Sequence, residues 1–393
     1  MQTNRQKNRY IRTDETEKTF WVKIYNDRLY LRSNEKRSCI MTEYKNSSLH
    51  FANTIKFTLF ADLHYKKGMY ISSVADLQEI LDRAKQSNAD FVIHLGDLCN
   101  DYRRSPELLN TYLYNCHGLP VYGIYGNHEL ESHENDMATV TPMLCNRQVT
   151  WGTPDGTIGD GSIGYYYFDH SSFRVICLDT NYSQNPETLE WEHNRTASWG
   201  APAENLKKDS LAPRQLVWLE HILQDAAERG LHCLLFSHTG FSGIWYSSPD
   251  AVAVREMIRC VNEKRKGTVL MSVSGHLHTD HQAVVDGVLH FDVNTVRNGL
   301  WLAEAREHYG GLSYPFVNYD ANGNETERCD RPLSELCMAA QTWFFDRPLS
   351  AVVTVSGDGS VTIEGSAAGW YGGVVPDARY EVNARISDGR YGL

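Results

Sequence analysis

Apolar residues fall into short, dense runs separated by polar turns along most of this chain, and from Ile55 onwards the runs alternate between strand and helix periods. Ile55-Lys56-Phe57-Thr58-Leu59-Phe60 predicts a strand ending at Asp62. Ser73-x-x-Asp76 then opens a helix with Val74, Leu77, Ile80, Leu81 and Ala84 on its apolar face. Phe91 to Leu95 and Val121 to Tyr125 predict strands that end at Gly96-Asp97 and Gly126-Asn127-His128. Tyr165 to Asp169 and Phe173 to Leu178 predict an antiparallel pair around His170-Ser171-Ser172. Pro213 starts a helix carrying Leu216, Leu219, Ile222, Leu223 and Ala226, stopped by Gly230. His232 to Phe236 and Val269 to Val273 predict strands leading to His238 and His276. Val284 to Leu289, centred on Asp286-Gly287, predicts a hairpin with a type I′ turn. Ala351 to Val355 and Val361 to Ile363 predict a last hairpin around Gly357-Asp358-Gly359.

Other segments are less regular. Residues 1–54 read as an N-terminal extension packing on the core, with one expected hairpin: Phe20 to Tyr25, Asn26-Asp27, then Leu29 to Leu31. Residues 180–212 form a long aromatic insertion with Tyr182, Trp191 and Trp199, and a loop that long inside a domain is usually functional. Residues 303–342 read as a second loop-like insertion, and 366–393 as a polar, glycine-rich C-terminal tail. Strand, helix, strand with polar residues at the strand tips is the α/β layout, in which sites form beyond the carboxyl ends of the strands. Candidate ligands spread from Asp62 to His278 argue for one catalytic domain over 55–365 rather than several.

At 393 residues and 41% hydrophobic, the chain is long enough to bury a full core. Its net charge of −11 gives no general attraction to nucleic acid. No apolar run of about eighteen residues predicts a membrane span. Met1 to Arg12 is polar and basic without an apolar centre, so a cytoplasmic location is expected. An exported form stays open. Nine cysteines without a CxxC pair, Cys177 and Cys233 inside strand-like runs, read as reduced thiols. In that compartment the N-x-S/T triplets at Asn46 and Asn194 read as chance.

The chemistry lies in five clusters, each just after a strand-like run: Asp62-Leu63-His64, Gly96-Asp97, Gly126-Asn127-His128-Glu129, Ser237-His238 and Gly275-His276-Leu277-His278. Carboxylate and amide oxygens mixed with imidazoles suit borderline divalent or trivalent first-row metals, not a thiolate site. Seven such ligands exceed one tetrahedral ion and suit two ions sharing a bridging carboxylate. Crowded buried carboxylates and imidazoles need a cation. Glycines before Asp97, Asn127 and His276 permit tight turns and close backbone approach to metals. His94, inside an apolar strand, reads as a core residue; His117, His133, His193 and His281 read as surface residues.

This ordered set, D-x-H, G-D, G-N-H-E, a lone His and G-H-x-H, resembles the calcineurin-like metallophosphoesterase superfamily, in its phosphodiesterase-like branch, over residues 55 to about 295. Leu178-Asp179-Thr180 and Arg214 to Leu219 extend the match. The resemblance implies a two-sheet β-sandwich flanked by helices (α+β in some schemes), with a dinuclear metal site at strand ends. It implies that Asp62, His64 and His278 hold one ion, that Asn127, His238 and His276 hold the other, and that Asp97 bridges both. It makes His128 the histidine beside the scissile phosphate. In such a site a metal-bridging hydroxide attacks phosphorus and the metals stabilise the developing charge. Glu129 and Asp179 are expected to orient imidazoles, and Asn100, Arg297 and Asn298 are candidates for substrate contact.

Departures from subfamily patterns narrow the expectation. Purple acid phosphatases carry a tyrosine ligand where Asn100 stands, and protein phosphatases carry arginines where Asp101 and Tyr125 stand. Mre11-like nucleases share the ligand set, but the acidic balance and lack of a basic, aromatic-interleaved patch count against DNA. A small-molecule phosphodiesterase or phosphomonoesterase is what the resemblance then implies, with the diester favoured. The aromatic insertion and residues 294–301 would shape its leaving-group pocket. A nuclease-type phosphodiesterase and a non-catalytic scaffold on the same fold are the alternatives. Fe, Mn and Zn all accept this ligand set, and oligomeric state is not legible in the sequence.

Overall fold

The structure, a computed structural model, describes residues 10–13, 20–25, 28–33, 54–130, 136–185, 188–193, 209–301, 309–373, 375–376 and 383–393. His133, Trp199, the triplets at Asn46 and Asn194 and the turn residues Asn26 and Asp27 lie outside the described residues. The chain divides into two compact units, Met1–His50 and Phe51–Leu393. In the first, the expected hairpin is Phe20–Tyr25 paired antiparallel with Arg28–Ser33, and Tyr10–Thr13 adds a third strand on the other side of Phe20–Tyr25. That strand is short and polar, so no period marks it in the sequence.

The second unit carries all five clusters. Strands β1 (Thr54–Phe60), β2 (Phe91–His94) and β3 (Val121–Gly123) pair in parallel, connected through α1 (Val74–Gln86) and α2 (Pro106–Leu113). Next come β4 (Thr150–Trp151), β5 (Tyr166–His170), β6 (Phe173–Cys177), α3 (Pro213–Arg229) and β7 (His232–Ser237). Then follow α4 (Ala251–Lys264), β8 (Val269–Ser274), β9 (His281–Val285) and β10 (Val288–Asp292). The strands from β4 to β10 make a seven-stranded sheet in the order β9-β10-β8-β7-β6-β5-β4, and β6, β7, β8 and β10 are parallel. Finally β11 (Ala351–Ser356), β12 (Ser360–Gly365) and β13 (Gly389–Gly392) return to the first sheet, whose order is β13-β12-β11-β1-β2-β3.

Local chemistry sets the element ends. Ser73 and Asp76 form a reciprocal capping box on α1, and Gly230 stops α3 in the left-handed region at φ 74°. Asp286 and Gly287 both have positive φ, 53° and 74°, as a type I′ turn between β9 and β10 requires. The helix α4 went unread in the pattern, although Val254, Ile258 and Val261 recur at helical spacing on its buried face.

The two sheets face each other through aromatic rings. Phe57 of β1 meets Phe236 of β7 edge-on at 5.5 Å, and Phe168 of β5 packs on Phe91 at 5.5 Å and on Tyr122 at 4.0 Å. Along β7, Leu234 and Phe236 join this inner core, whereas Cys233 and Leu235 join Leu219, Leu223, Val254 and Ile258 of the helices. The architecture is a two-sheet sandwich between helical layers, as expected.

Residues 309–342 are not loop-like. Ser313–Tyr319 pairs antiparallel with Glu325–Pro332, and Tyr309, Tyr314, Leu333, Leu336, Trp343 and Phe344 form a small apolar cluster of their own. The second strand is mostly exposed and highly charged, which conceals it from any hydrophobic pattern. The polar C-terminal stretch, for its part, supplies β13. Among the described residues no helix is long and apolar enough to cross a membrane. Because Phe57 joins both sheets and is fully buried, Phe57→Ala is expected to lower stability by about 3–5 kcal/mol, read as a reduced midpoint in urea denaturation.

Candidate metal centre

Parallel strands point their carboxyl ends the same way, so β1, β2 and β3 deliver Asp62, His64, Asp97, Asn127 and His128 to one edge of their sheet. Strands β7 and β8 deliver His238, His276 and His278 to the same place from the facing sheet. The turns that carry them are strained. Asp62, His64, Asp97, His276 and His278 all have φ between 50° and 70°. Residues with a Cβ rarely adopt that region, at a cost on the order of 1 kcal/mol each. Hydrogen bonds hold them there: Asp62 N–H donates to Gly96 O (3.1 Å), His64 N–H to Asp97 O (2.8 Å) and His276 N–H to Asp62 Oδ2 (2.9 Å). A Cβ on Gly96 would lie 2.6 Å from His238 Nδ1, and one on Gly126 would lie 2.1 Å from Asp97 Oδ1. The glycines therefore let the loops approach one another.

The convergence is close. Asp62 Oδ1 lies 3.4 Å from His278 Nε2 and 3.9 Å from His64 Nε2, while the two imidazole nitrogens are 3.2 Å apart. His238 Nε2 faces Asn127 Oδ1 at 3.0 Å and His276 Nδ1 at 3.1 Å. Between the two groups stands Asp97, with Oδ2 3.6 Å from His64 Nε2 and 3.4 Å from His238 Nε2. Asp62, His64 and Asp97 are at most 2% exposed. Ligand atoms of Asp62, His64 and His278, and of Asp62, Asp97 and His238, lie close enough together to share a cation.

The residues fit metal ions. Imidazole nitrogens that face each other at 3.2 Å oppose two lone pairs unless a cation or a proton lies between. Backbone carbonyls fix which nitrogen faces inward: His278 Nδ1–H donates to Asn298 O at 2.6 Å and His238 Nδ1–H to Leu95 O at 2.7 Å. That leaves Nε2 of each ring as the inward-facing atom. Burial pushes His64 down to about 3, so its ring is neutral and its lone pair is open to a cation. Burial would also lower His238, but the charge and hydrogen bond of Asp97, the Asp62 charge and the Leu95 carbonyl together outweigh it and push the imidazole up to about 10.

Several expected roles change. Asn100 lies beside His128, its Nδ2–H donating to Nδ1 at 3.1 Å, so it touches the catalytic candidate rather than open solvent. Arg297 is engaged within the fold, pairing with Asp76 at 3.1 Å and donating to Phe345 O, which does not suit a substrate contact. Asn298 likewise turns its amide to Leu63 O and Ser72 Oγ, and its contribution is the carbonyl that orients His278. Glu129 accepts N–H from Asp97 (2.9 Å), Leu98 (2.8 Å) and Gly126 (2.6 Å), and so orients backbone. Burial, then the Asp97 charge, push its carboxyl up to about 8. Asp179 does meet an imidazole, His193 Nε2 at 3.0 Å, and that histidine is no surface residue, its side chain being 7% exposed. His94 is a core residue as expected, and His117 lies on the surface beside Asp82.

Other contributors support these loops, Asn181 among them with no signal in the sequence. Asn181 Nδ2–H donates to Gly126 O, and Thr180 Oγ1 accepts N–H from Thr239, so one segment braces the loops of both Asn127 and His238. Gln215 explains part of the motif around it by donating to Asp179 O (2.7 Å) and accepting Asp179 N–H (2.9 Å).

A family model described as calcineurin-like phosphoesterase matches residues 55–280, more than half of the chain. The chain belongs to the calcineurin-like phosphoesterase family. It is a hydrolase of phosphoric esters. The crystal structure of a dimetal phosphatase from Danio rerio shares the fold, with a TM-score of 0.51 and 15% identity over 86% of this chain and 98% of that one. A putative 5'-nucleotidase from Staphylococcus aureus gives a TM-score of 0.40 at 15% identity, over 71% of this chain and 54% of that one. No curated protein matches the chain in sequence.

The raised His238 sets the sign of a pH effect. Below about 10 the metal-free imidazole holds a proton that a cation at Nε2 must displace, so affinity rises with pH by about tenfold per unit for each proton released. Metal titrations at pH 6, 7 and 8 are expected to show that rise; a flat profile would contradict it.

Proposed function

We propose that this member of the family is a two-metal phosphodiesterase of small-molecule esters, with monoesters as poorer substrates. The observation that carries the reading is Asp97 Oδ2 within 4 Å of both His64 Nε2 and His238 Nε2, a position suited to a carboxylate shared by two ions. Asp62, His64 and His278 would hold one ion and Asn127, His238 and His276 the other, Fe, Mn and Zn being compatible with the donor set. When bound, the ions supply Lewis acidity and a water acidified to near neutral pH.

The chain's own groups handle the proton and the leaving oxygen. His128 Nδ1 accepts from Asn100, which leaves the proton of a neutral ring on Nε2, the nitrogen 4.0 Å from Asp97 Oδ2. As general acid His128 acts in its imidazolium form, with the Asn100 amide turning its oxygen to Nδ1–H; the Nε2 proton passes to the departing alkoxide and the ring is left neutral. His128 N–H also donates to Asp97 Oδ1 at 2.8 Å, tying acid and shared carboxylate into one turn. The preference for a diester rests on charge. Arginines near the motifs are engaged elsewhere, Arg103 with Thr139, Arg104 with Asp101 and Arg297 with Asp76. A monoanionic diester needs fewer cationic partners than a dianionic monoester.

Turnover of bis-p-nitrophenyl phosphate and p-nitrophenyl phosphate, with Mn, Zn or Fe supplied, tests the reading. The diester is expected to show the higher kcat/KM; no turnover with any metal would favour a scaffold instead. Asp97→Asn is expected to lose metal and activity together. His128→Asn is expected to keep its metal and lose roughly 10²- to 10⁴-fold in kcat, and full turnover in that variant would remove His128 as the acid. Asn100→Ala is expected to lower kcat less and to shift the alkaline limb of the pH–rate profile, which a purely structural role would leave in place.

A further inference from the structure

The loop after β7 carries large apolar side chains that the fold does not bury. Ile244 is 56% exposed and Tyr246 52%, with Trp245 half-buried between them. The loop is well bonded: Ser248 N–H donates to Gly240 O (2.9 Å), Gly243 N–H to Ser247 Oγ (2.9 Å) and Ile244 N–H to Ser242 Oγ (3.2 Å). A second segment holds it too, because the Tyr246 hydroxyl donates to Asp209, a residue kept at φ 56°. So held, the Tyr246 ring lies against the His276 imidazole, with centroids 5.5 Å apart and planes tilted by 40°. Trp245 stacks on His281 at 4.5 Å and 16°, three residues beyond His278. An exposed aromatic surface therefore runs on directly from the metal centre. Exposed apolar groups on a fixed loop beside a site mark a place where a ligand is bound.

We propose that Ile244, Trp245 and Tyr246 form the subsite for the organic group of the phosphate ester, and that this group is a planar aromatic or heteroaromatic ring. The inference rests on the phosphoesterase reading and adds the substrate class. A sugar or other polyol would call for hydrogen-bond partners, yet the Tyr246 hydroxyl proton is already taken by Asp209. What this surface offers is ring faces and an aliphatic edge, which stack with a planar group irrespective of its substituents. Its continuity with His276 places such a ring within reach of a phosphoryl group at the metals.

Calorimetric binding of phenylphosphonate and methylphosphonate to the metal-loaded enzyme, beside turnover of bis-p-nitrophenyl phosphate, tests the proposal. Wild type is expected to prefer the phenyl compound by about tenfold or more, in line with stacking on a single aromatic side chain. Tyr246→Ala is expected to erase most of that preference, Tyr246→Phe to retain it, and Ile244→Ser, a change at an exposed position, to reduce it by a smaller factor. Equal binding of the two phosphonates by wild type, or a preference untouched in Tyr246→Ala and Ile244→Ser, overturns the subsite. Turnover without phenyl preference removes the subsite alone. A phenyl preference that depends on Tyr246, with no turnover in wild type, removes the catalytic reading and leaves the subsite.

Discussion

Two carboxylates, Asp62 and Asp97, sit at strand ends out of contact with water and face imidazoles. Charges so placed cannot be left uncompensated, because each loses several kcal/mol of hydration on burial. Without metal, a proton on His238 supplies part of the balancing charge; with metal, cations supply it. The rest of the local structure serves that requirement. Three turns hold five of the cluster residues at positive φ, glycines let the loops close together, and the carbonyls of Leu95 and Asn298 aim His238 and His278 inward. A backbone strained at so many neighbouring positions persists because the hydrogen bonds around it over-determine it.

The centre spans two sheets, so its geometry depends on what fastens them together. The aromatic contacts of Phe57, Phe236 and Phe168 set the sheet spacing, but apolar packing is not directional. Direction comes from buried polar groups. Thr180 and Asn181, at the tip of β6, bond respectively to the loop after β7 and the loop after β3, with Gln215 of α3 pinning the backbone beneath them. Glu129 does the same within the first sheet by collecting N–H groups from the Asp97 and Gly126 turns. A network satisfied at each of these bonds specifies one arrangement more sharply than packing does.

Much of this was open to inspection in the sequence where local physics decides the outcome. Ser73 and Asp76 cap α1, Gly230 ends α3 and Asp286-Gly287 turns β9 into β10, because each effect acts within a few residues. The five clusters were legible for a related reason: strand tips are read one at a time, and their order matches a family pattern. The failures have physical causes too. The strand Glu325–Pro332 is exposed on both faces and has no apolar period to detect. Arg297 and Asn298 follow the last metal motif, but chain proximity does not say which way a side chain turns, and theirs turn into the fold. His193 looked like a surface residue until the insertion folded back on Asp179.

The amino-acid order by itself determined which chemical groups stand at the strand tips, and hence the family and the class of reaction, since donor identity is a property of each residue alone. Tertiary structure decided the pairing: which imidazole faces which carboxylate, that Asn100 meets His128, and that Tyr246, thirty residues before His276 in sequence, lies against its ring. Such contacts join residues far apart along the chain through the closing of two sheets, and no short-range rule of period or capping reaches across that distance.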